Sequence, residues 1–160
     1  MTRQKRIFKR SFDIIIALTA FIIFLPLIAV GCLMAAADTN ASGIYTSYRI
    51  GRYGIPFKIY KIRTMHVNSN NDLNTVIAID NPRITNAGRW LRKFKLDELP
   101  QLWNVLKGDM SLVGPRPDVT GFADRLKGDD KIILSIRPGI TGLATLAFKD
   151  EEKLLAKQKN

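Results

Sequence analysis

An uncharged apolar stretch near the amino terminus is the strongest feature of the hydrophobic pattern. It runs from Ile14 to Ala37, which is 24 residues, and it follows five basic residues among the first ten. As a helix rising about 1.5 Å per residue it would be roughly 36 Å long, and a bilayer core is roughly 30 Å thick. The pattern therefore predicts a membrane-associated helix.

Pro26 lies near the middle of this stretch, and three interpretations of it remain open. A cleaved signal peptide fits poorly, because the apolar run is longer than a signal core of about 7–15 residues. A spanning helix with a tolerated kink and a re-entrant helix that breaks at Pro26 fit about equally well. In the re-entrant case each arm has about 12 residues, roughly 18 Å, and both basic flanks stay on one side of the membrane.

Beyond Gly43 the chain alternates between short strand-like and helix-like patterns. Residue types and turn residues predict strands over 44–48, 55–62, 110–113 and 132–136. They predict helices over 83–96, 97–108, 118–126 and 149–160, and Asp97 is the predicted cap of the second helix. They also predict an Asn-rich loop over 66–82 that contains a short apolar element at 76–79. The fold class is therefore α+β, with a membrane anchor over 1–40 and one small, mainly helical domain with short strands over 41–160.

The balance of charge narrows the classes of partner. Twenty-five Lys and Arg against 14 Asp and Glu give a net charge of +11, which attracts anionic lipids, nucleic acid or phosphorylated molecules. One cysteine and one histidine exclude an internal disulfide and a zinc site made from Cys and His. An oxygen-bound ion such as Mg²⁺ remains compatible with the sequence. The aromatic residues are not interleaved with basic ones, so nucleic-acid binding is not expected.

The adjacent acids Asp97 and Glu98 are the main candidates for chemistry. In one interpretation they only cap and stabilise a helix start. In the other, a helix dipole keeps Asp97 ionised as a nucleophile for a phosphoryl group, and Glu98 holds Mg²⁺. The candidate phosphate-binding residues are basic side chains near a strand, near the acid pair or in Pro/Gly-stiffened loops: Lys61, Arg63, Arg92, Arg116 and Arg137.

An ordered set of motifs covers the chain from about Lys9 to Gly142. The motifs are KRSFD (9–13), PFKIYKIRTM (56–65), LDELPQL (96–102), NVLKGDMSLVGPRP (104–117) and RPGITG (137–142). Together they resemble the bacterial sugar transferase family, the small monotopic phosphoglycosyl transferases that begin glycan assembly on undecaprenyl phosphate. These glycans include exopolysaccharide, capsule and lipopolysaccharide O-antigen.

The resemblance implies a re-entrant helix in the cell inner membrane and a catalytic domain facing the cytoplasm. Asp97 then resembles the nucleophile that attacks the sugar-bearing phosphate of a UDP-sugar and releases UMP. Glu98 resembles the Mg²⁺ ligand, and polyprenyl phosphate takes the phosphosugar from Asp97. The basic candidates resemble residues that hold phosphates or the nucleotide.

Three departures from the family pattern limit this inference. Leu25 precedes Pro26 where the family often has Ser-Pro, and Thr46-Ser47 stands where it often has Arg-Gln. The aromatic that often follows RPGITG directly is missing at Leu143 and Ala144, and Asn160 falls short of the usual family length, so one interpretation is a truncated carboxy terminus. The alternative function is that of an inactive relative bound to the membrane surface through its basic face.

Overall fold

The computed structural model describes residues 2–67, 81–121 and 123–142, and it begins with one long helix. This helix, α1, is Arg3–Thr39 and continues through Pro26 without interruption. A proline inside a helix removes one backbone hydrogen bond but leaves the neighbouring bonds available. The predicted break at Pro26 therefore does not divide the element, and the re-entrant path through a membrane stays a prediction.

Most apolar side chains of α1 face outward. The most apolar window of this helix has a mean hydropathy of 2.8 and is only 17% buried, so α1 is long and apolar enough to cross a membrane. Ile15, Ile23 and Leu33 are among its exposed side chains. A contiguous exposed apolar surface marks a site of membrane or protein contact. On a helix of this length and composition it indicates membrane association.

Two antiparallel strands follow α1. Strand β1 is Ile44–Ile50 and strand β2 is Pro56–Ile62, joined by a turn that contains Arg52–Gly54. Both strands were predicted from their β-branched and aromatic residues, and both predictions are confirmed.

The register of this hairpin decides which side chains share a face. Tyr45 lies opposite Lys61, and Arg49 lies opposite Phe57. Because side chains alternate between the two faces of a strand, these four residues share one face with Ile59. Phe57 and Ile59 are buried. This face of the hairpin therefore packs on the core, and Lys61 and Arg49 reach the edge of the packed region.

Helix α2 is Asn86–Lys93, shorter than the helix predicted over 83–96. Its start is fixed by Thr85, whose hydroxyl oxygen accepts a hydrogen bond from the Gly88 N–H at 2.9 Å. Such a cap satisfies an amide that has no partner within the helix. Lys95 adopts a left-handed conformation with φ 56°, which ends the helical path.

Helix α3 is Gln101–Lys107, and Gly108 ends it with φ 97°, as predicted. The prediction that Asp97 caps this helix is wrong, because Asp97 lies in a separate 3₁₀ turn, Leu96–Glu98. A cap at position 97 would accept a hydrogen bond from the amide two or three residues later. Pro100, three residues later, has no N–H, and the Leu99 N–H, two residues later, donates to the Leu96 carbonyl at 3.2 Å. The α-helix therefore begins after Pro100, and Asp97 is not used as a cap.

Strand β3, Ser111–Val113, confirms the strand predicted over 110–113. It pairs in parallel with β4, Gly139–Thr141, which lies inside the segment predicted to be a rigid loop. The backbones approach closely there, because a Cβ at position 139 would lie 2.1 Å from the Gly114 nitrogen. Glycine at position 139 is therefore required for the pairing.

The helix predicted over 118–126 and the strand predicted over 132–136 are both wrong. The structure has 3₁₀ turns at Ala123–Arg125 and Gly128–Ser135 instead. Gly121 has a φ of 92°, which a right-handed helix does not accommodate. In the described part of the chain the second segment has no neighbouring strand to pair with, and an isolated strand is unstable in water.

The expected charged helix over 149–160 lies outside the described residues, as does the short apolar element at 76–79.

Two clusters of buried side chains form the core, and α1 contributes to both. The first contains Ala17, Phe57, Ile59, Leu102, Val105 and Met110, and the second contains Ala35, Ile62 and Leu91. The approach is close, since a Cβ at Gly31 would lie 2.8 Å from the Ile62 Cδ1 atom. Both halves of α1 therefore pack against the same domain.

A buried polar contact fixes α1 to β3. The Asp13 carboxylate, 4% exposed as a residue, accepts hydrogen bonds from the Ser111 hydroxyl at 2.8 Å and the Leu112 N–H at 3.3 Å. The Lys9 ammonium pairs with the same carboxylate at 2.9 Å. A buried charge is stable when it is paired and hydrogen-bonded in this way.

Candidate active site

Asp97 carries a buried carboxylate whose hydrogen-bonding capacity is not filled. The residue is 8% exposed, and its Oδ1 atom has no hydrogen-bond partner among the residues that the structure describes. Burial raises the pKa of Asp97 above its ordinary value, and the positive charges of Lys61 and Arg92 offset only part of the effect. Asp97 lies in a 3₁₀ turn ahead of α3, and the main influence on its pKa is therefore burial rather than the predicted helix dipole.

Glu98 forms an ion pair with Lys61. The Lys61 Nζ atom lies 2.7 Å from the Glu98 Oε1 atom, and both side chains are partly buried. Burial alone would raise the pKa of Glu98, but the charge and hydrogen bond of Lys61, followed by the charge of Arg116, lower it below its ordinary value. The two adjacent acids thus have pKa values moved in opposite directions, a pattern typical of sites with separate chemical roles.

A small cleft of about 50 Å³ opens beside Glu98. Its lining consists of Arg49, Ile59, Lys61, Glu98, Gln101, Arg116, Pro117, Gly139 and Ile140. Three cations around one carboxylate give this cleft a positive charge, which suits phosphate oxygens. A larger open groove of about 460 Å³ lies on α1, but it is lined by Gln4, Lys5, Phe8 and Lys9 and contains no carboxylate.

Three of the predicted basic residues lie around the acid pair. Lys61 and Arg116 line the cleft with Glu98. Arg92 donates from Nε to the Thr64 hydroxyl at 2.9 Å, and its charge acts on Asp97. The structure thus brings these side chains together, and their binding of phosphate stays a prediction.

Arg63 is not among the residues that line this cleft. Its Nε atom donates to the Ser42 carbonyl at 2.7 Å, and its guanidinium carbon lies 5.9 Å from the centre of the Tyr45 ring. Arg63 therefore holds the edge of the hairpin in this structure.

Arg137 also lies outside the cleft lining, at the carboxyl end of α3. Its Nε atom donates to the Gly108 carbonyl at 2.7 Å. Arg10 of α1 binds the same helix end, donating to the Val105 carbonyl at 2.7 Å and the Leu106 carbonyl at 3.1 Å. Basic side chains commonly satisfy the last carbonyls of a helix. Both arginines therefore stabilise this helix end.

Sequence reasoning missed two polar side chains that line the cleft, those of Arg49 and Gln101. Gln101 is 3% exposed at the start of α3. Burial lowers the pKa of Arg49, while Arg116 adds to the lowering and Tyr45, Asp118 and Glu98 oppose it. The alternation of β1 places Arg49 on the same face as Lys61. The sequence shows which residues of β1 share a face with Arg49, but it does not show which of the two faces lies next to Asp97 and Glu98.

The acid pair fits a Mg²⁺ ion that arrives with a substrate. Among the described residues there is no group of three or more metal-binding side chains. Mg²⁺ does not require one, because it commonly keeps several waters and binds one or two carboxylates plus substrate phosphates. Glu98, whose pKa is lowered, matches this kind of oxygen ligand, and the adjacent Asp97 carboxylate keeps an oxygen without a partner among the described residues.

The fold and the site together define a class of protein: a membrane-associated protein whose small domain holds an acid pair beside a small basic cleft. The chain belongs to the bacterial sugar transferase family, whose model matches residues 4–159.

Curated relatives cover most of the chain. The UDP-galactose-lipid carrier transferase of Erwinia amylovora is 41% identical over 92% of this chain, and the undecaprenyl-phosphate galactose phosphotransferase of Salmonella typhimurium is 42% identical over 93%. The chain spans 34% of the length of each of them. The UDP-glucose:undecaprenyl-phosphate glucose-1-phosphate transferase of Caulobacter vibrioides is 38% identical over 85% of this chain and 52% of its own length.

Proposed function

We propose that the protein transfers a sugar-1-phosphate from a UDP-sugar to undecaprenyl phosphate or a similar polyprenyl phosphate, and so begins the assembly of a glycan. The names of its relatives describe transfer of galactose or glucose phosphate to this lipid. The observation that carries the proposal is the buried Asp97 carboxylate, with one oxygen left without a partner among the described residues, next to the basic cleft.

In the first step a carboxylate oxygen of Asp97 attacks the phosphorus that bears the sugar. A bond forms between this oxygen and phosphorus, and the bond from phosphorus to the bridging oxygen of the diphosphate breaks. UMP leaves with that oxygen and its electron pair, and an aspartyl-phosphosugar remains. A carboxylate that has few hydrogen bonds to lose is a suitable nucleophile for this step.

In the second step an oxygen of the polyprenyl phosphate attacks the same phosphorus. The bond from phosphorus to Asp97 breaks, which restores the carboxylate and leaves the sugar on a polyprenyl diphosphate. Lys61, Arg49 and Arg116 bind the phosphate oxygens in both steps. Glu98 holds Mg²⁺, which when bound neutralises charge on the diphosphate.

The position of α1 supports a site on one face of the cell inner membrane, open to the cytoplasm. Ala17 and Ala35 lie near opposite ends of the apolar stretch, and both pack into the same domain. A helix that crossed the bilayer with these contacts intact would carry part of the domain into the hydrocarbon core. A re-entrant path keeps the domain in water and lets the UDP-sugar and the lipid phosphate meet on one side.

The proposal is tested with the full chain in detergent, a panel of UDP-sugars, undecaprenyl phosphate and Mg²⁺. UMP release and labelling of the lipid are expected with at least one donor. Without the lipid, a burst of no more than one UMP per protein molecule is expected, because the sugar phosphate stays on Asp97. Folded protein that releases no UMP with any donor would instead support an inactive membrane-surface relative.

Replacing Glu98 by Gln is expected to weaken activation by Mg²⁺ by about tenfold or more, because the amide binds a divalent cation more weakly than the carboxylate does. The measurement is the Mg²⁺ concentration that gives half of the maximal transfer rate. Asp109→Asn is the matched control, since Asp109 also pairs with a lysine, Lys107, at 3.0 Å. Equal Mg²⁺ dependence in both variants would show that Glu98 is not a ligand.

A further inference from the structure

Strand β1 carries two exposed tyrosines on opposite faces of the hairpin. Tyr45 is 43% exposed and Tyr48 is 62% exposed. Each has a cation near its ring: the Arg63 guanidinium carbon lies 5.9 Å from the Tyr45 ring centre, and the Lys58 Nζ atom lies 5.8 Å from the Tyr48 ring centre. The two residues thus differ mainly in the face that they occupy.

Only the face that carries Tyr45 leads to the acid pair. Tyr45 is paired across the strands with Lys61, the residue that binds Glu98 at 2.7 Å. Four residues further along β1 and on the same face, Arg49 lines the cleft. Tyr45 is close enough to Arg49 to affect its pKa. Tyr45 is not among the residues that line the cleft, but it is the strand neighbour of Lys61, which lines it.

Arg63 limits the movement of this ring. Its Nε atom is held by the Ser42 carbonyl at 2.7 Å, so the guanidinium beside Tyr45 is itself anchored. In the described part of the chain the close aromatic pairs are Phe21 with Trp103 and Trp90 with Phe94, so Tyr45 has no aromatic ring packed against it there. An oriented, partly exposed ring without an aromatic neighbour is available to stack on a ligand.

A polar group next to Tyr45 also lacks a partner. The Ser47 hydroxyl lies between Tyr45 and Arg49 on the same strand face, and it is buried without a hydrogen-bond partner among the described residues. Buried polar groups are normally hydrogen-bonded, and an exception in a native protein often marks a place where water or a ligand binds. The face of β1 toward the cleft therefore has a polar group that the described residues leave free to bind water or a ligand.

We propose that Tyr45 is a binding residue for the sugar-nucleotide donor and stacks against one of its rings, the nucleobase or the sugar. The proposal rests on the proposed function, because the basic residues beside Tyr45 would hold the diphosphate that joins these two rings. Arg63 serves as a positioning residue that keeps the tyrosine ring in place. Base and sugar both present a flat or apolar face, which is the chemistry that an aromatic side chain recognises.

The test compares three variants of the full chain in the transfer assay. Tyr45→Ala is expected to raise the KM for the UDP-sugar about tenfold and leave kcat nearly unchanged, because stacking away from the reacting phosphorus stabilises ground state and transition state alike. Tyr45→Phe keeps the ring, and Tyr48→Ala removes the matched ring on the other face. Both are expected to stay within about twofold of wild type.

Three results would overturn the proposal. One is an unchanged KM in Tyr45→Ala. Another is an equal rise in Tyr45→Phe, which would assign the effect to the hydroxyl group. The third is an equal rise in Tyr48→Ala, which would assign it to general damage to the hairpin.

Calorimetry with UMP and with a hexose-1-phosphate identifies the ring and does not depend on turnover. Tyr45→Ala is expected to lose about tenfold in affinity for one of the two ligands, which is the one whose ring stacks on Tyr45. Unchanged affinity for both ligands would overturn the proposal. A wild-type protein that binds UMP but transfers nothing would refute the proposed function and leave the role of Tyr45 standing.

Discussion

Asp97→Asn is expected to abolish sugar-phosphate transfer and to raise the melting temperature of the protein. The loss of activity follows from the proposed chemistry, because an amide oxygen does not form the covalent intermediate. Removal of a nucleophile lowers kcat by about 10⁴-fold or more in well-characterised enzymes. The burst of UMP without acceptor should also disappear, since this burst reports the first step alone.

The gain in stability follows from the burial of Asp97. Burial raises the pKa of Asp97 above its ordinary value, so the folded state binds this proton more tightly than the unfolded state. The stability that the bound proton contributes is therefore lost as the pH rises from the pKa of Asp97 in the unfolded chain to its higher pKa in the folded protein. At neutral pH the charge destabilises the fold, and a neutral side chain of the same shape should add about 1 kcal/mol. That corresponds to about 2–4 °C for a chain of this size.

The pH dependence separates this explanation from a simple packing effect. The gap in melting temperature between Asp97→Asn and wild type should shrink as the pH falls, because the wild-type carboxyl group becomes neutral. Asp13→Asn is the matched control, since Asp13 is equally buried but accepts hydrogen bonds from Ser111 and Leu112 and pairs with Lys9. That variant should be less stable than wild type. A lower melting temperature for Asp97→Asn would contradict the account.

The sequence named several residues of the candidate site but did not predict how the structure arranges them. The content of β-branched and aromatic residues predicted β1 and β2, and the order of motifs pointed to Asp97, Glu98, Lys61 and Arg116. The local rule that favours Asp at a helix cap failed at Asp97, because Pro100 has no amide hydrogen to donate and the Leu99 amide donates to the Leu96 carbonyl. The general preference of Asp for the helix cap was therefore overridden by the residues that follow Asp97.

The arginines show the limit of residue-type reasoning. Arg63 and Arg137 were predicted to bind phosphate; in this structure neither lines the cleft, and the Nε atom of each donates to a backbone carbonyl. A carbonyl oxygen at a strand or helix end and a phosphate oxygen are both acceptors that suit a guanidinium group. The sequence does not distinguish these two uses, because the acceptor comes from a distant part of the chain. Arg49 was missed for the same reason, since only the tertiary fold brings it to Glu98.

Asn104→Ala is expected to lower the free energy of unfolding by about 3 kcal/mol or more, the largest effect on stability among the substitutions considered. Asn104 is 0% exposed on α3, and its amide satisfies two backbone groups of β2. Its Oδ1 atom accepts from the Tyr60 N–H at 3.2 Å, and its Nδ2 atom donates to the Lys58 carbonyl at 2.7 Å. Both backbone groups are partly buried, and a buried group left without a partner costs about 1–3 kcal/mol; the smaller side chain also leaves a cavity in place of the fully buried Asn104.

Thermal unfolding of the full chain in detergent measures this effect, with Asn86→Ala as the control. Asn86 is exposed at the start of α2, so its replacement should change stability by less than about 0.5 kcal/mol. Because Asn104 connects α3 to the strand that carries Lys61, its loss should also lower transfer activity well below the melting temperature. A variant as stable and as active as wild type would show that the Lys61–Glu98 pair is positioned without this contact. In that case the packing of Phe57 and Ile59 alone holds β2 against the acid pair.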